Sequence, residues 1–153
     1  MSNAAVLTTI LLITLLAAAG GCESMQKTDK PDDLVGTWHF EAITSGGETT
    51  VGAPEIHFIP KITFEPIGEY EEEGRVTGFT GVNRFFGNYV VIESTLELSE
   101  FGSTRMAGPP ERMELETALL EALGTVSTYR ADRERLELDC DAGTIVFTRV
   151  IGG

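Results

Sequence analysis

The sequence predicts an α+β fold, a strongly curved antiparallel sheet or incomplete β-barrel of about eight strands with one helix packed over it. Two observations support this. Short segments with strand-like alternation fill most of residues 34–150, and only residues at about 110–123 show helical periodicity instead. Because a lone amphipathic helix must bury its apolar face, we expect it to lie on the sheet.

The strands are predicted from alternating apolar and polar residues, which is typical of a half-buried strand. In residues 35–43, for example, Trp38, Phe40 and Ala42 share one face. The other expected extended segments are 56–58, 62–64, 75–81, 87–92, 95–98, 101–104, 126–130, 135–140 and 144–150. Residues 69–74 read as an acidic loop, and residues 141–143 as a hairpin connection.

The helix is predicted from an apolar stripe with spacing i, i+3, i+4 and i+7. Its members are Leu115, Ala118, Leu119 and Ala122. Pro110 suits the first turn, and Gly124 ends the pattern. Arg112 and Glu116 have the spacing of an i,i+4 ion pair.

The amino terminus resembles a lipoprotein leader. Residues 1–21 contain no charged side chain, and their apolar run from Leu7 to Ala19 is typical of a signal-peptide h-region. Small residues then lead into Cys22, as in a bacterial lipobox, although Ala19 stands where Leu is commoner and no Lys or Arg precedes the run. The alternatives are an uncleaved anchor and an ordinary secretory signal.

The chain therefore divides into three parts. We expect a signal peptide over residues 1–21, a polar tether over 22–33, and one domain over 34–153. Cys22 is the expected lipid attachment site, and the lipid would be the membrane partner. Because Glu23 rather than Asp follows the cysteine, we expect the periplasmic face of the outer membrane.

Charge and cysteine content narrow the functional classes. A net charge of −13 argues against nucleic acid and against direct docking on anionic headgroups. The chain has two cysteines, so lipidation of Cys22 would leave Cys140 without an internal partner. Cys140 shares its expected face with Leu136 and Leu138, which predicts an inert thiol.

Two segments carry a family resemblance. They are Thr-Gly-Val-Asn-Arg-Phe-Phe-Gly-Asn-Tyr at residues 80–89 and Ser-Thr-Arg-Met-Ala-Gly-Pro-Pro at 103–110. With Leu-Val-Gly-Thr-Trp at 34–38 and a late Phe-x-Arg, they resemble the META domain, the fold of HslJ-type heat-shock lipoproteins, over about residues 34–150. The resemblance implies an α+β fold and a family with no agreed biochemical activity.

The chain departs from the family pattern at two positions. Val82 and Gly108 stand where the family carries cysteines. If those family positions form a disulfide, the loss of both is the consistent change, and the centre of this domain is held by packing alone. Any thiol chemistry at those positions is then absent from this chain.

The motifs supply the candidate recognition residues. These are Asn83, Arg84, Phe85, Arg105 and Met106. One interpretation is a recognition surface with Phe85 and Phe86 as apolar anchors. The other is structural: Asn83 takes a left-handed turn conformation, the two arginines pair with nearby carboxylates, and Met106 lies in the core.

The residues indicate no catalytic or metal centre. His39 and His57 lie on different expected strands and do not fit zinc spacing. No serine has a nucleophile-elbow context, and no glycine-rich phosphate loop precedes a helix. Asp139-x-Asp141-x-Gly143 lacks the ligand series of a calcium loop. We therefore expect no cofactor, no metal and no enzyme activity.

The leading hypothesis is a non-catalytic envelope lipoprotein, a binding or scaffolding module, and the resemblance to heat-shock lipoproteins implies a role in envelope stress tolerance. One alternative is a carrier of a lipid or other hydrophobic ligand. It rests on Gly36-Thr37-Trp38, which resembles the Gly-x-Trp of lipocalins, and on Arg149, which could cover Trp38. The other alternative is a pilot or chaperone for an outer-membrane assembly. A filled core would favour the leading hypothesis, and a hydrophobic cleft would favour the alternatives.

Overall fold

The computed structural model describes residues 31–53 and 58–150, and over these residues it confirms the α+β fold. In chain order the elements are α1 (Pro31–Leu34), β1 (Gly36–Ser45), β2 (Glu48–Gly52), β3 (Lys61–Pro66), β4 (Glu73–Phe79), β5 (Arg84–Ile92), β6 (Thr95–Ser103), α2 (Pro110–Leu123), β7 (Thr128–Ala131), β8 (Arg135–Cys140) and β9 (Gly143–Arg149). The predicted helix matches α2.

The sheet is antiparallel throughout and curls back on itself. Its order is β2-β1-β3-β4-β5-β6-β7-β8-β9, and β1 pairs with β9 as well. The circuit is weakest between β6 and β7, where the register contains the single pair Thr95 and Thr128. Helix α2 joins these two strands in sequence and packs its apolar face on the core. The molecule is therefore a curved sheet and not a regular barrel.

The strand count differs from the prediction at two places. β2 was not expected because Glu-Thr-Thr-Val-Gly is mostly exposed and shows no apolar face. The two strands expected at 95–98 and 101–104 form one strand, β6, with a register shift opposite Phe86–Asn88 and a positive φ of 53° at Glu100. A β-bulge bends a strand without ending it, so the bend reads as a gap in the sequence pattern. The segment expected at 56–58 lies largely outside the described residues.

The core follows the predicted alternation. Trp38, Phe40 and Ala42 are all buried, as is the α2 stripe around Leu119. The largest fully buried side chains, which come from β1, β3, β5 to β9, α1 and α2, are Trp38, Tyr89, Tyr129, Phe40, Phe64, Phe147, Leu34, Ile62, Leu96, Leu119, Leu123 and Leu136. These side chains fill the space enclosed by the sheet. Cys140 is half-buried against this core and carries a free thiol.

The two chain ends of the domain are tied together by Arg149 and Trp38. The guanidinium carbon lies 4.0 Å from the centroid of the Trp38 ring, and Nη1 donates to the carbonyl of Val35 at 2.9 Å. The indole Nε1 donates to the carbonyl of Leu34 at 2.9 Å. Gly36 has a φ of 128°, and a Cβ there would lie 2.8 Å from Nη1, so only glycine fits. These contacts hold α1, which overlaps the end of the expected tether.

Within residues 31–53 and 58–150, no helix is long and apolar enough to cross a membrane.

Candidate functional site

The first motif forms the tight turn between β4 and β5. The backbone N–H of Thr80 donates to the carbonyl of Asn83 at 2.9 Å, which closes the turn. Gly81 supplies the left-handed backbone, with a φ of 103°. Among the described residues, the non-glycine positions with positive φ are Glu93 and Glu100, so the left-handed conformation expected for Asn83 is wrong. The turn leaves the Asn83 side chain free to bond elsewhere.

Asn83 points inward and binds Glu116 of helix α2. Its side chain is 1% exposed and that of Glu116 is 7% exposed. Nδ2 of Asn83 donates to Oε1 of Glu116 at 2.9 Å, and the Asn83 backbone N–H donates to Oε2 at 3.1 Å. The Thr80 hydroxyl donates to the same Oε2. A buried carboxylate is tolerated only when hydrogen bonds replace its hydration, and three donors from one turn do so here.

The same asparagine holds the loop after β6, which carries the second motif. Its Oδ1 accepts from the backbone N–H of Met106 at 2.7 Å and from the Thr104 hydroxyl at 2.8 Å. Its Nδ2 also donates to the carbonyl of Met106 at 3.0 Å. We call this network, formed by Thr80, Asn83, Thr104, Glu116 and the Met106 backbone, the Asn83 latch. It joins the β4–β5 turn, the β6–α2 loop and helix α2.

The latch corrects two expectations. Glu116 does not pair with Arg112, because its carboxylate is occupied by the β4–β5 turn and the Arg112 guanidinium lies 4.1 Å from the Phe58 ring centroid. Met106 is not a core residue: its backbone is bonded in the latch, and its side chain is 57% exposed.

The two arginines of the motifs are exposed, and neither takes part in an ion pair within the described part of the chain. The expected pairing of Arg84 and Arg105 with carboxylates is not found among the described residues. Phe85 is buried, and it lies against Gly78, where an added Cβ would meet its ring at 2.2 Å. Of the two expected apolar anchors, only Phe86 reaches solvent, with 58% of its side chain exposed.

A groove runs over the outer face of β3, β4 and β5. In one cross-strand row Phe79 is flanked by Lys61 and Arg84, and in the next row Thr77 is flanked by Thr63 and Phe86. The small threonines form the floor of an open groove of about 600 Å³ between the longer side chains. We call this surface, lined by Lys61, Thr63, Thr77, Phe79, Arg84 and Phe86, the outer groove. It combines aromatic area with two cations in a chain of net charge −13.

A second charged network lies on β7, β8 and β9 and has a structural role. Nη1 of Arg130 lies 2.6 Å from Oδ2 of Asp139, and its Nε lies 3.1 Å from Glu137. Burial by itself would raise the pKa of Asp139, but hydrogen bonds from Arg130, Thr144 and Thr128 hold it below its ordinary value. The hydrogen bond to Asp139 raises the pKa of Arg130 in turn.

Tyr89 is a titratable side chain buried in the interior. Burial, with a smaller effect of Glu71 and Glu72, raises the pKa of Tyr89 to about 12, so this phenol stays neutral. No group of His, Cys, Asp and Glu side chains within the described ranges is placed to hold a metal ion. His39 is half-buried on β1, and both His57 and Cys22 lie outside the described residues.

Sequence reasoning found Asn83 and Arg84 but missed Lys61, Thr80 and Glu116. Glu116 follows Leu115 on the helix and is not part of the apolar stripe, so helical periodicity does not predict that it is buried. The sequence did contain an indication for Thr80. A threonine three residues before an asparagine in a glycine-containing turn can form a hydrogen bond with the backbone of that asparagine. Lys61 is brought beside Arg84 only by the register of three strands.

A curved antiparallel sheet covered by one helix, with an asparagine turn bonded to that helix, defines a small α+β domain of the META type. The family model of the META domain matches residues 32–150, and the chain belongs to this family. The resemblance seen in the sequence is thus confirmed.

Two solved structures have a similar fold. An NMR structure of a protein from Burkholderia xenovorans is 24% identical, with a TM-score of 0.64 over 80% of this chain and 90% of that one. Another NMR structure is 22% identical, with a TM-score of 0.54 over 78% of this chain and 94% of that one. At these identities the likeness concerns the fold alone. No match was found among curated proteins.

Proposed function

We propose that this META-domain chain is a non-catalytic binding or scaffolding module of the bacterial envelope. In this proposal a lipid on Cys22 anchors it to the periplasmic face of the outer membrane, and it contributes to envelope stress tolerance. The observation that carries the proposal is that the core and the motif residues Asn83 and Phe85 are used for folding, while the motif residues Arg84 and Phe86 line the outer groove, which is left exposed. Binding therefore takes place on the outside of the sheet.

The filled interior favours surface binding over transport of a hydrophobic ligand. An eight-stranded barrel holds a ligand when its centre is empty, whereas here Trp38, Tyr89 and Tyr129 occupy the centre with less than 2% exposure. The expected contact between Arg149 and Trp38 is present. It closes the base of the domain beneath these buried side chains, which supports binding on the surface.

The Asn83 latch favours binding over catalysis. Thr80 and Glu116 are adjacent, as a nucleophile and a base would be. Thr80, however, is fully buried, and Glu116 accepts hydrogen bonds from three donors of the turn. A catalytic base must reach a substrate proton, and the bonds of these two side chains are made within the latch.

Photo-crosslinking in the envelope tests the proposal. The full chain, with Phe86 replaced by p-benzoylphenylalanine, is irradiated in bacterial cells. We expect a discrete crosslinked product that is lost with Arg84→Glu and retained with Arg133→Glu, which makes the same charge change on an exposed loop residue. The photo-crosslinker at Thr117, on the exposed side of α2, is the control position. Absence of a product, or the same product from Thr117, would overturn the proposal.

A further inference from the structure

The outer groove has a chemical complement on the same chain. The loop between β3 and β4, residues 67–72, carries three carboxylates, of which Glu69 and Glu72 are exposed. The same loop exposes Ile67 and Tyr70, the latter by 70%. We call residues 67–72 the acidic loop; it differs from the loop expected at 69–74 because β4 begins at Glu73. Exposed carboxylates beside exposed aromatic and aliphatic groups match a groove built from cations and phenylalanines.

One molecule cannot bring its own acidic loop to its own groove. Lys61 begins β3 and the acidic loop follows Pro66, at the other end of the same strand. Five residues of extended strand separate Lys61 from Pro66 by about 17 Å. Arg84 lies at the Lys61 end as well, because it pairs with Phe79, which pairs with Lys61. Contact between loop and groove must therefore involve two molecules.

The outer face is polarised along its strands. Lys61 and Arg84 lie at one end, and Arg105 follows them there, since the Thr104 N–H donates to the Arg84 carbonyl at 3.0 Å. None of these three cations forms an ion pair within the described part of the chain. Toward the opposite end Arg75 lies between Glu65 and Asn88, and the acidic loop extends beyond this row, so carboxylates outnumber cations there. A face that is positive at one end and negative at the other complements a copy of itself turned through 180°.

We propose that two copies of this chain associate face to face through β3, β4 and β5, with their strands antiparallel. Each copy places its acidic loop on the outer groove of the other, so the same contact is made twice about a two-fold axis. The inference rests on the proposed function and names the partner of the scaffolding module as a second copy. When the two-fold axis is parallel to the membrane normal, the amino-terminal ends of both domains face the same bilayer.

The expected complex is weak in dilute solution. Three strands spaced about 4.8 Å apart and six residues long present roughly 300 Å², well below the ~800 Å² per partner of stable interfaces. Exposed ion pairs contribute little individually, about 0.2–1 kcal/mol each. Attachment of both copies to one membrane raises their effective concentration. At this higher concentration a small symmetric contact becomes populated.

Charge reversal tests the pairing with the full chain. Two differently tagged copies are co-expressed in bacterial cells, crosslinked with formaldehyde while both are still in the membrane, then solubilised in mild detergent and co-purified through one tag. Lys61→Glu/Arg84→Glu reverses the groove, and Glu69→Lys/Glu72→Lys reverses the loop. We expect each double variant to recover its own copy at least about tenfold less than wild type, because both of its contacts become repulsive. Arg133→Glu is the control, with recovery equal to wild type.

The mixed pair is the decisive sample. A groove-reversed copy and a loop-reversed copy form two attractive contacts again, so we expect recovery to return to the wild-type level. Recovery no higher than in the homotypic pairs, or wild-type recovery as low as in the groove-reversed pair, would overturn the inference. Unfolding midpoints equal to that of wild type establish that the variants fold. If a double variant does not fold, the single variant Arg84→Glu replaces the groove-reversed chain and the single variant Glu72→Lys replaces the loop-reversed chain.

The crosslink from position 86 separates this inference from the proposed function. A product with twice the mass of the chain supports pairing between copies. A product of another mass leaves the proposed function standing and overturns the inference, whereas no product overturns both.

Discussion

Gly108 faces Val82 so closely that a Cβ built on Gly108 would lie 3.4 Å from the Val82 Cβ and 2.7 Å from its Cγ2. These are the two positions at which the META resemblance has cysteines. Cβ atoms bridged by a disulfide are separated by about 3.5–4.5 Å, so the two positions have nearly the spacing of a disulfide. The branched side chain of Val82 fills this space in the present chain, and the missing side chain at Gly108 makes room for it.

The first prediction restores a covalent link at this point. Val82→Cys/Gly108→Cys should form a disulfide under oxidising conditions and raise the free energy of unfolding by about 3 kcal/mol relative to its reduced form. Denaturant unfolding with and without reductant measures the difference.

Gly108→Cys alone is the matched control. It should destabilise the domain, because its Cβ would collide with the methyl groups of Val82. A double variant that keeps two free thiols under oxidation would show that the two segments are not adjacent in solution.

The second prediction concerns the Asn83 latch. Asn83→Ala removes a side chain that bonds Glu116, Thr104 and the Met106 backbone, leaving a buried carboxylate short of a donor. We expect a loss of about 2–4 kcal/mol in the free energy of unfolding, from the unpaired polar groups together with the lost contacts. Arg84→Ala, on the neighbouring exposed residue, should change it by less than about 0.5 kcal/mol. Equal effects of the two variants would rule out a structural role for the motif asparagine.

The third prediction follows from the depressed pKa of Asp139. A carboxyl group whose pKa is lower in the folded state adds stability above its unfolded value of about 3.9, and this stability is lost as pH falls toward the folded value. The free energy of unfolding should therefore decrease below about pH 4, and this part of the decrease should be smaller in Asp139→Asn. Urea unfolding between neutral and acidic pH measures it. An identical pH dependence in Asp141→Asn and Asp139→Asn would contradict the assignment.

The fourth prediction tests the anchor. Cys22→Ala removes the expected lipid attachment site, so the protein should move from the membrane fraction to the soluble periplasmic fraction. Fractionation of cells that produce the full chain measures this, with Cys140→Ala as the control that stays in the membrane fraction. Unchanged membrane association of Cys22→Ala would defeat the lipoprotein proposal.

The local pattern of apolar and polar residues was sufficient to predict those elements that bury one face. The alternation around Trp38 gave β1, and the stripe around Leu119 gave α2 between Pro110 and Leu123. Both patterns arise because burial selects residues at the period of the element. β2 escaped the same reasoning because an edge strand with exposed residues on both faces needs no apolar alternation.

The site was harder to predict because it depends on contacts between distant segments. Glu116 is buried because its carboxylate accepts hydrogen bonds from Asn83 and Thr80 of the β4–β5 turn. A helical wheel shows only the residues of the helix and therefore cannot predict these contacts. Met106 looked apolar enough for the core, yet its backbone is fixed by Asn83 and its side chain points outward. The motif residues were identified correctly, while their roles required the tertiary structure.

The central claim is that the interior of the domain is filled and that binding takes place on its surface. Native mass spectrometry of residues 31–153, secreted into a bacterial periplasm and purified without detergent, tests it most directly. We predict the bare mass of the chain or of two associated chains. A stoichiometric additional mass of lipid size would contradict the claim and establish the domain as a carrier.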